Sequence, residues 1–165
     1  WVRAAPSSLS CLRPGREVHT KQEGTVIKYR LTHPEILAAL ASAGHGSRVL
    51  IADGNYPFCT GSNPSAALVF LNLTRGFAPV DEVLAVLVDA VPIEAARVMM
   101  PSDDVEPPIF RSFRSILPKG LDLEPLERFA FYEAAREEDV ALVIATGEQR
   151  IYANILLTIG VVPPD

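Results

Sequence analysis

Residues 140–154 read VALVIATGEQRIYAN, an apolar run followed at once by a polar one. The apolar part is rich in β-branched residues and is closed by Thr-Gly, which is typical of a buried strand that ends in a turn. The polar part supplies Glu148, Arg150, Tyr152 and Asn154. Side chains at the mouth of a strand line the crevice where open α/β sheets bind ligands. Such donors and acceptors suit a polyhydroxylated ligand, although solvated loop charges and a core tyrosine are an equally simple interpretation.

A second cluster places His45 between two glycines, directly before the apolar run RVLIA at residues 48–52. Asp53 follows that run directly. An imidazole takes or gives a proton near neutral pH, as an acid–base catalyst must. We therefore predict that His45 carries protons and that Asp53 either orients its ring or grips a hydroxyl group. The alternative stays open, because a lone loop histidine is more often structural or simply solvated.

Hydrophobic periodicity alternates between helix-like and strand-like segments after residue 30. It predicts helices at residues 34–43, 80–91, 109–117 and 124–138, and strands at residues 48–52, 66–72, 96–100 and 140–145. Residues 155–158 fit either a short strand or a helix. Alternating elements of this kind predict an α/β fold, a single domain whose central β-sheet carries helices on both faces.

Length and composition exclude several classes of protein. A chain of 165 residues fits one domain, and its net charge of −5 argues against a nucleic-acid partner. No apolar run approaches the roughly 18 residues of a membrane span. Cys11 and Cys59 make neither a disulfide framework nor a metal site, and phosphate-loop, dinucleotide and histidine-pair motifs are missing. We expect a cytoplasmic protein that needs no cofactor and no metal and has no membrane partner.

The first thirty residues differ in charge from the rest of the chain. They hold six Lys and Arg against two Asp and Glu, whereas the remaining 135 residues hold nine against eighteen. We expect residues 1–30 to be a poorly ordered N-terminal extension and residues 31–165 to be the folded domain. An acid-poor, Arg-containing leader would also fit an organelle transit peptide, but no amphipathic helical repeat supports that interpretation.

Several segments follow one another in a telling order: LTHPEIL at residues 31–37, Gly-His-Gly at 44–46, IADGNYP at 51–57, TGE at 146–148 and YANILL at 152–157. In order and spacing they resemble the (I/L)SPELL, Gly-His-Gly, ADANFP and TGE…YGN(I/L)(I/L)L motifs of the ribose pyranase/fucose mutarotase family (RbsD/FucU). The resemblance extends over about four fifths of the chain. Members of this family are small enzymes that interconvert the cyclic forms of a sugar without a cofactor.

The resemblance implies a reaction and a set of site residues. A free monosaccharide would change its anomeric or pyranose/furanose form by acid–base ring opening and closure, which needs neither redox chemistry nor a covalent nucleophile. His45 and Asp53 match the catalytic positions, and the substrate-binding positions are Arg128, Tyr152, Asn154 and Glu148. The family forms rings, commonly decamers of stacked pentamers, in which a neighbouring subunit completes each site. A ring-forming homo-oligomer is therefore expected here.

The choice of sugar depends on two segments that point in different directions. Residues 128–133 read RFAFYE, which resembles the fucose branch, whereas the ribose branch usually has a histidine in place of Arg128. Residues 71–76 read LNLTRG, which is closer to the ribose branch and lacks the aspartate of the fucose branch. We expect L-fucose or a similar hexose, with D-ribose as the alternative. A non-catalytic sugar-binding or regulatory subunit remains a second alternative, and a hydrolase triad built on His45 lacks a nucleophile elbow.

Overall fold

Residues 27–164 are described by the computed structural model, so most of the expected extension, together with Cys11, lies outside the described residues. The helices are α1 (Pro34–Ser42), α2 (Val80–Ala90), α3 (Ile109–Ile116) and α4 (Arg128–Ala134). The strands are β1 (Arg48–Ala52), β2 (Ala67–Phe70), β3 (Ile93–Met100), β4 (Leu123–Glu127), β5 (Val140–Ala145) and β6 (Ile155–Ile159). The strands form one six-stranded sheet in the order β2-β5-β1-β6-β3-β4.

Five of the six strands run in the same direction. β1 and β2 are each parallel to β5, and β3 is parallel to β4, whereas β6 lies antiparallel between β1 and β3. The ends of β1 to β5 therefore meet at one edge of the sheet, which we call the carboxyl edge. The opposite edge, where these strands begin, is the amino edge. In sheets of this type, ligands bind outside the carboxyl ends of the strands.

Both faces of the sheet are covered, as the alternating pattern predicts. Alternate residues of β1 point into two separate apolar clusters, Val49 and Ile51 into one and Leu50 and Ala52 into the other. The larger cluster contains buried side chains from α1, α2 and α3, and the smaller one contains Phe131 of α4. Burial on both faces explains why the central strands read as continuous apolar runs. The α/β assignment with helices on both faces is confirmed.

One predicted helix is partly wrong. Residues 124–138 were expected to be helical, but Leu123–Glu127 is a strand that pairs with β3 and α4 ends at Ala134. β4 is an edge strand, where the missing N–H of Pro125 is tolerated. α4 begins at once after β4, because the Glu127 carboxylate accepts hydrogen bonds from the first turn, at 2.7 Å from the Phe129 nitrogen.

The remaining differences are smaller. β2 is shorter than predicted, β3 begins three residues earlier, and the ambiguous segment at residues 155–158 is strand β6. No helix between residues 27 and 164 is long and apolar enough to cross a membrane. Over the same range, no three His, Cys, Asp or Glu side chains are grouped closely enough to hold a metal ion.

Candidate functional site

A cavity of about 400 Å³ opens at the carboxyl edge, beside the ends of β1, β3 and β4 and the start of β6. Four of the six predicted site residues line it, and they are Asp53, Arg128, Tyr152 and Asn154. The topology explains this convergence. Asp53 follows β1, Arg128 follows β4, and the other two precede β6, which runs in the opposite direction.

Asp53 and Asn154 are joined by a pair of hydrogen bonds. The Asn154 Nδ2 group donates to Asp53 Oδ2 at 3.0 Å, and the Asp53 backbone N–H donates to Asn154 Oδ1 at 2.8 Å. The backbone N–H of Asn55 donates to the other carboxylate oxygen at 2.9 Å. Both side chains are buried, so these bonds fix the carboxyl group in the wall of the cavity.

The environment of Asp53 changes the pKa of its carboxyl group. Burial raises the pKa of the Asp53 carboxyl, and the hydrogen bonds from the Asn55 backbone and the Asn154 side chain only partly offset this effect. No Lys or Arg of residues 27–164 forms a salt bridge with it. A carboxyl group whose pKa is raised is suited to proton transfer.

Tyr152 has an unusual backbone conformation. Its φ is +60°, in the left-handed region that non-glycine residues rarely adopt. Such strain persists where the surroundings impose it, and it concentrates at functional sites. The neighbouring Asn154 and the packing of the Tyr152 side chain against the smaller apolar cluster hold the turn that enters β6. The strain therefore fits a side chain held in place at the mouth of the cavity.

Two aromatic residues of the cavity were missed by the sequence analysis. The rings of Tyr56 and Tyr132 lie 5.4 Å apart, centroid to centroid, and both line the cavity. The Tyr56 hydroxyl donates to the Gly61 carbonyl at 2.6 Å, and burial raises the pKa of this phenol. Flat rings with a polar tip are common contacts for the apolar face of a ring-shaped ligand. Both residues lie in the recognised IADGNYP and RFAFYE segments, but nothing local marked them as cavity residues.

Arg128 is exposed at the start of α4, with its guanidinium carbon 5.2 Å from the centroid of the Phe129 ring. A surface ion pair with Glu124 or Glu127 would be a simple alternative to a binding role for Arg128. Instead, Glu124 accepts a hydrogen bond from Arg97, and Glu127 caps α4. Within the described part of the chain, no carboxylate forms a salt bridge with Arg128. Its fork of donors is therefore available to a molecule in the cavity.

The structure separates Glu148 from this set. It lines a different cavity, of about 610 Å³, and its side chain is 5% exposed. One carboxylate oxygen accepts from the backbone N–H groups of Gln149 and Arg150, and the other accepts from Val80 at the start of α2. Burial raises the pKa of Glu148, but hydrogen bonds from Arg150 outweigh it and hold the pKa below its usual value. Its carboxylate oxygens therefore hold the start of α2 and Arg150, and its assignment to the substrate-binding set stays a prediction.

His45 is also apart from the other predicted residues. Its loop lies at the amino edge, where the Gly46 N–H donates to the carbonyl of Ile159 at the end of β6. β1 separates His45 from Asp53, and a strand of that length spans about 16 Å. The His45 Nε2 atom lies 3.0 Å from Glu94 Oε2. The prediction that Asp53 orients the His45 ring is therefore wrong within one chain.

A buried acid, an amide, a guanidinium and aromatic rings surround a small cavity at the carboxyl edge of an open α/β sheet, an arrangement typical of proteins that bind small polar ligands. The model of the RbsD / FucU transport protein family matches residues 27–162. The chain belongs to this family, which confirms the resemblance found in the sequence.

Named relatives agree with this assignment. The chain is 33% identical to the fucose mutarotase of Danio rerio, over 80% of this chain and 90% of that protein. It is 35% identical to the fucose mutarotase of Bos taurus, over 81% of this chain and 92% of that protein. Among solved structures, it is similar to the fucose mutarotase of Streptococcus pneumoniae in complex with L-fucose. That match has 29% identity and a TM-score of 0.68, and it covers 79% of this chain and 94% of the other.

Proposed function

We propose that this protein is a monosaccharide mutarotase, an isomerase that interconverts the cyclic forms of L-fucose or a similar hexose without a cofactor. The observation that carries the proposal is the cavity that joins Asp53, whose pKa is raised, to Arg128, Tyr152 and Asn154. The fucose mutarotases among its relatives support the reaction and the sugar. A D-ribose pyranase and a non-catalytic sugar-binding subunit are the alternatives that experiment has to separate.

Ring opening requires two proton transfers. One proton goes to the ring oxygen as its bond to the anomeric carbon breaks, and another leaves the anomeric hydroxyl as the carbonyl forms. Closure on either face of the carbonyl reverses both transfers. Because a hemiacetal already equilibrates slowly in water, positioned acid–base groups, each worth about 10²–10⁴-fold, provide enough acceleration. We assign Asp53 and His45 to these transfers, and Arg128, Tyr152 and Asn154 to the sugar hydroxyls.

Proton transfer by His45 at this cavity would need a second copy of the chain. Because β1 keeps His45 away from its own Asp53, we propose a ring-forming homo-oligomer, a decamer by family resemblance, in which His45 reaches the cavity of a neighbouring copy. Exposed apolar side chains beside the cavity support a partner there: Ile151 is 67% exposed and Phe129 is 63% exposed. Large apolar side chains grouped on a surface are typical of interfaces between proteins.

The proposal includes the boundary of the domain and the cellular compartment of the protein. We propose residues 31–165 as the mutarotase domain and residues 1–30 as an extension, and the family match over residues 27–162 supports a boundary close to residue 30. A cytoplasmic location is supported by Cys59, an exposed free cysteine of a kind that reducing compartments tolerate.

The proposed reaction is tested by magnetisation transfer between the anomeric proton signals of free sugars. We expect the protein to exchange the anomers of L-fucose faster than the spontaneous rate, with slower effects on galactose and ribose. EDTA should leave the rate unchanged, because no step requires a metal. Binding without exchange would identify a sugar-binding subunit instead, and the absence of both across the panel would exclude the whole proposal.

The sugar preference is tested at Arg128. A guanidinium fork bridges two neighbouring hydroxyls, so Arg128→His should slow fucose exchange by about 10- to 100-fold, the value of a charge-assisted hydrogen bond. Ribose exchange should be unchanged or faster. Arg111→His, an exposed substitution on α3 on the other face of the sheet, is the matched control and should change neither rate. Faster turnover of ribose than of fucose by the unmodified protein would overturn the assignment to fucose.

A further inference from the structure

Glu94 is an acidic side chain of the amino edge that contacts His45. We propose that Glu94 is a positioning residue for the proton transfer by His45, fixing which ring nitrogen carries the proton and where the other one points. The contact that suggests this role joins His45 Nε2 to Glu94 Oε2 at 3.0 Å. The proposal rests on the proposed function, because it gives Glu94 a role in the same reaction.

A β-bulge directs the Glu94 side chain. In the pairing of β3 with β6, Ile93 lies opposite Ile159 and Ala95 lies opposite Thr158. Two steps along β3 therefore match one step along β6, and Glu94 is the extra residue. Bulges redirect a side chain relative to the regular pleat and are frequent beside active sites. The backbone thus places Glu94 in an orientation that regular pairing would not give.

The end of β6 holds both partners. The Gly46 N–H next to His45 donates to the Ile159 carbonyl at 2.9 Å, and the φ of Gly46 is +81°, which favours glycine. Gly160 follows Ile159 and leaves room for the Glu94 side chain. A side chain at position 160 would crowd it, because its Cβ would lie 3.3 Å from the Glu94 Cβ. The histidine loop and the bulge are therefore attached to adjacent residues, so their relative position is fixed by the backbone.

The chemistry of the pair follows from this geometry. A carboxylate accepts only, so a neutral His45 donates Nε2–H to it and presents the lone pair of Nδ1 as the base. When Nδ1 takes a proton, the carboxylate stabilises the resulting imidazolium. The side chains of His45 and Glu94 are 59% and 42% exposed in a single chain, where such a pair contributes little to stability. A neighbouring copy that covers this edge would exclude water and strengthen the interaction.

The test compares Glu94→Ala with Glu94→Gln, whose amide oxygen still accepts Nε2–H. We expect Glu94→Ala to lower kcat for fucose exchange by about 10-fold with little change in KM, a loss similar to that seen when metal-bound histidines lose their carboxylate partners. In ¹⁵N spectra of the same variant, the Nδ1–H tautomer of His45 should become more populated. Glu94→Gln should restore most of both properties. Glu138→Ala, which removes another exposed carboxylate near the amino edge, is the matched control and should change neither.

The outcomes separate this proposal from the proposed function. If Glu94→Ala keeps the kcat and the His45 tautomer of the unmodified protein, the positioning role is excluded while the mutarotase assignment stands. If His45→Ala leaves exchange unchanged, the role of His45 itself fails, and the positioning role fails with it. If Glu94→Ala lowers kcat and Glu94→Gln lowers it equally while the tautomer is unaltered, Glu94 acts only on the local structure, and the proposal is overturned.

Discussion

Alanine in place of His45 is expected to slow anomer exchange by at least about 10²-fold, the usual contribution of a positioned acid–base group. The fold should be unaffected, because the imidazole is exposed and belongs to neither apolar cluster. Magnetisation transfer on L-fucose measures the rate, and thermal unfolding measures the stability of the variant. A variant that unfolds, or one that stays fully active, would show that His45 is structural or irrelevant to the reaction.

Mixing two inactive variants tests whether His45 acts on a neighbouring copy. His45→Ala chains keep Asp53, and Asp53→Asn chains keep His45. A site that takes Asp53 from the first variant and His45 from the second is therefore intact. After subunits are exchanged at equal concentrations, random pairing of neighbours in a ring should leave about a quarter of the sites with both groups. Activity should therefore return to roughly that fraction of the wild-type rate. A mixture that stays inactive would exclude catalysis across an interface.

The sequence predicted the elements whose residues carry their own signals. β1 and β5 are continuous apolar runs, and both begin and end at the predicted residues. β4 was missed because leucine and glutamate favour a helix locally, and only pairing with β3 overrides that preference. A strand defined by its partner has no reliable signature within its own five residues.

The candidate site was predictable where it follows from strand ends. Asp53, Arg128, Tyr152 and Asn154 converge because the strands they adjoin meet at one edge. The position of Glu148 in a separate cavity could not be predicted, since it depends on a hydrogen bond from Val80 at the start of α2, which is distant in sequence. Residues that precede and follow one strand lie at opposite edges of the sheet. The prediction that Asp53 orients His45 did not take this into account. Residues that a neighbouring copy would add to a site have no local signal in the sequence.

Asp53→Asn is expected to slow exchange by about 10²-fold and to change how stability depends on pH. Burial raises the pKa of Asp53, so the folded protein holds this proton at pH values where the unfolded chain has lost it. Between the two pKa values, stability falls as pH rises, because the folded state binds more protons. Above the folded pKa, the buried charge of Asp53 therefore lowers the free energy of unfolding of the wild type by its full amount. This destabilisation disappears as pH falls towards the unfolded pKa of about 3.9.

Asparagine at position 53 does not titrate, which isolates this contribution. Its amide must turn an N–H group towards Asn154 Nδ2 or the Asn55 N–H, so it loses about 1 kcal/mol of hydrogen bonding at every pH. Urea unfolding should show the wild type gaining stability relative to Asp53→Asn as pH falls from about 8 to about 4. Asp122→Asn, which replaces an exposed carboxylate, is the matched control for the pH dependence of stability. A change of the opposite sign would mean that the fold binds Asp53 as a carboxylate, which would leave the cavity without its acid and assign Asp53 to hydroxyl binding alone.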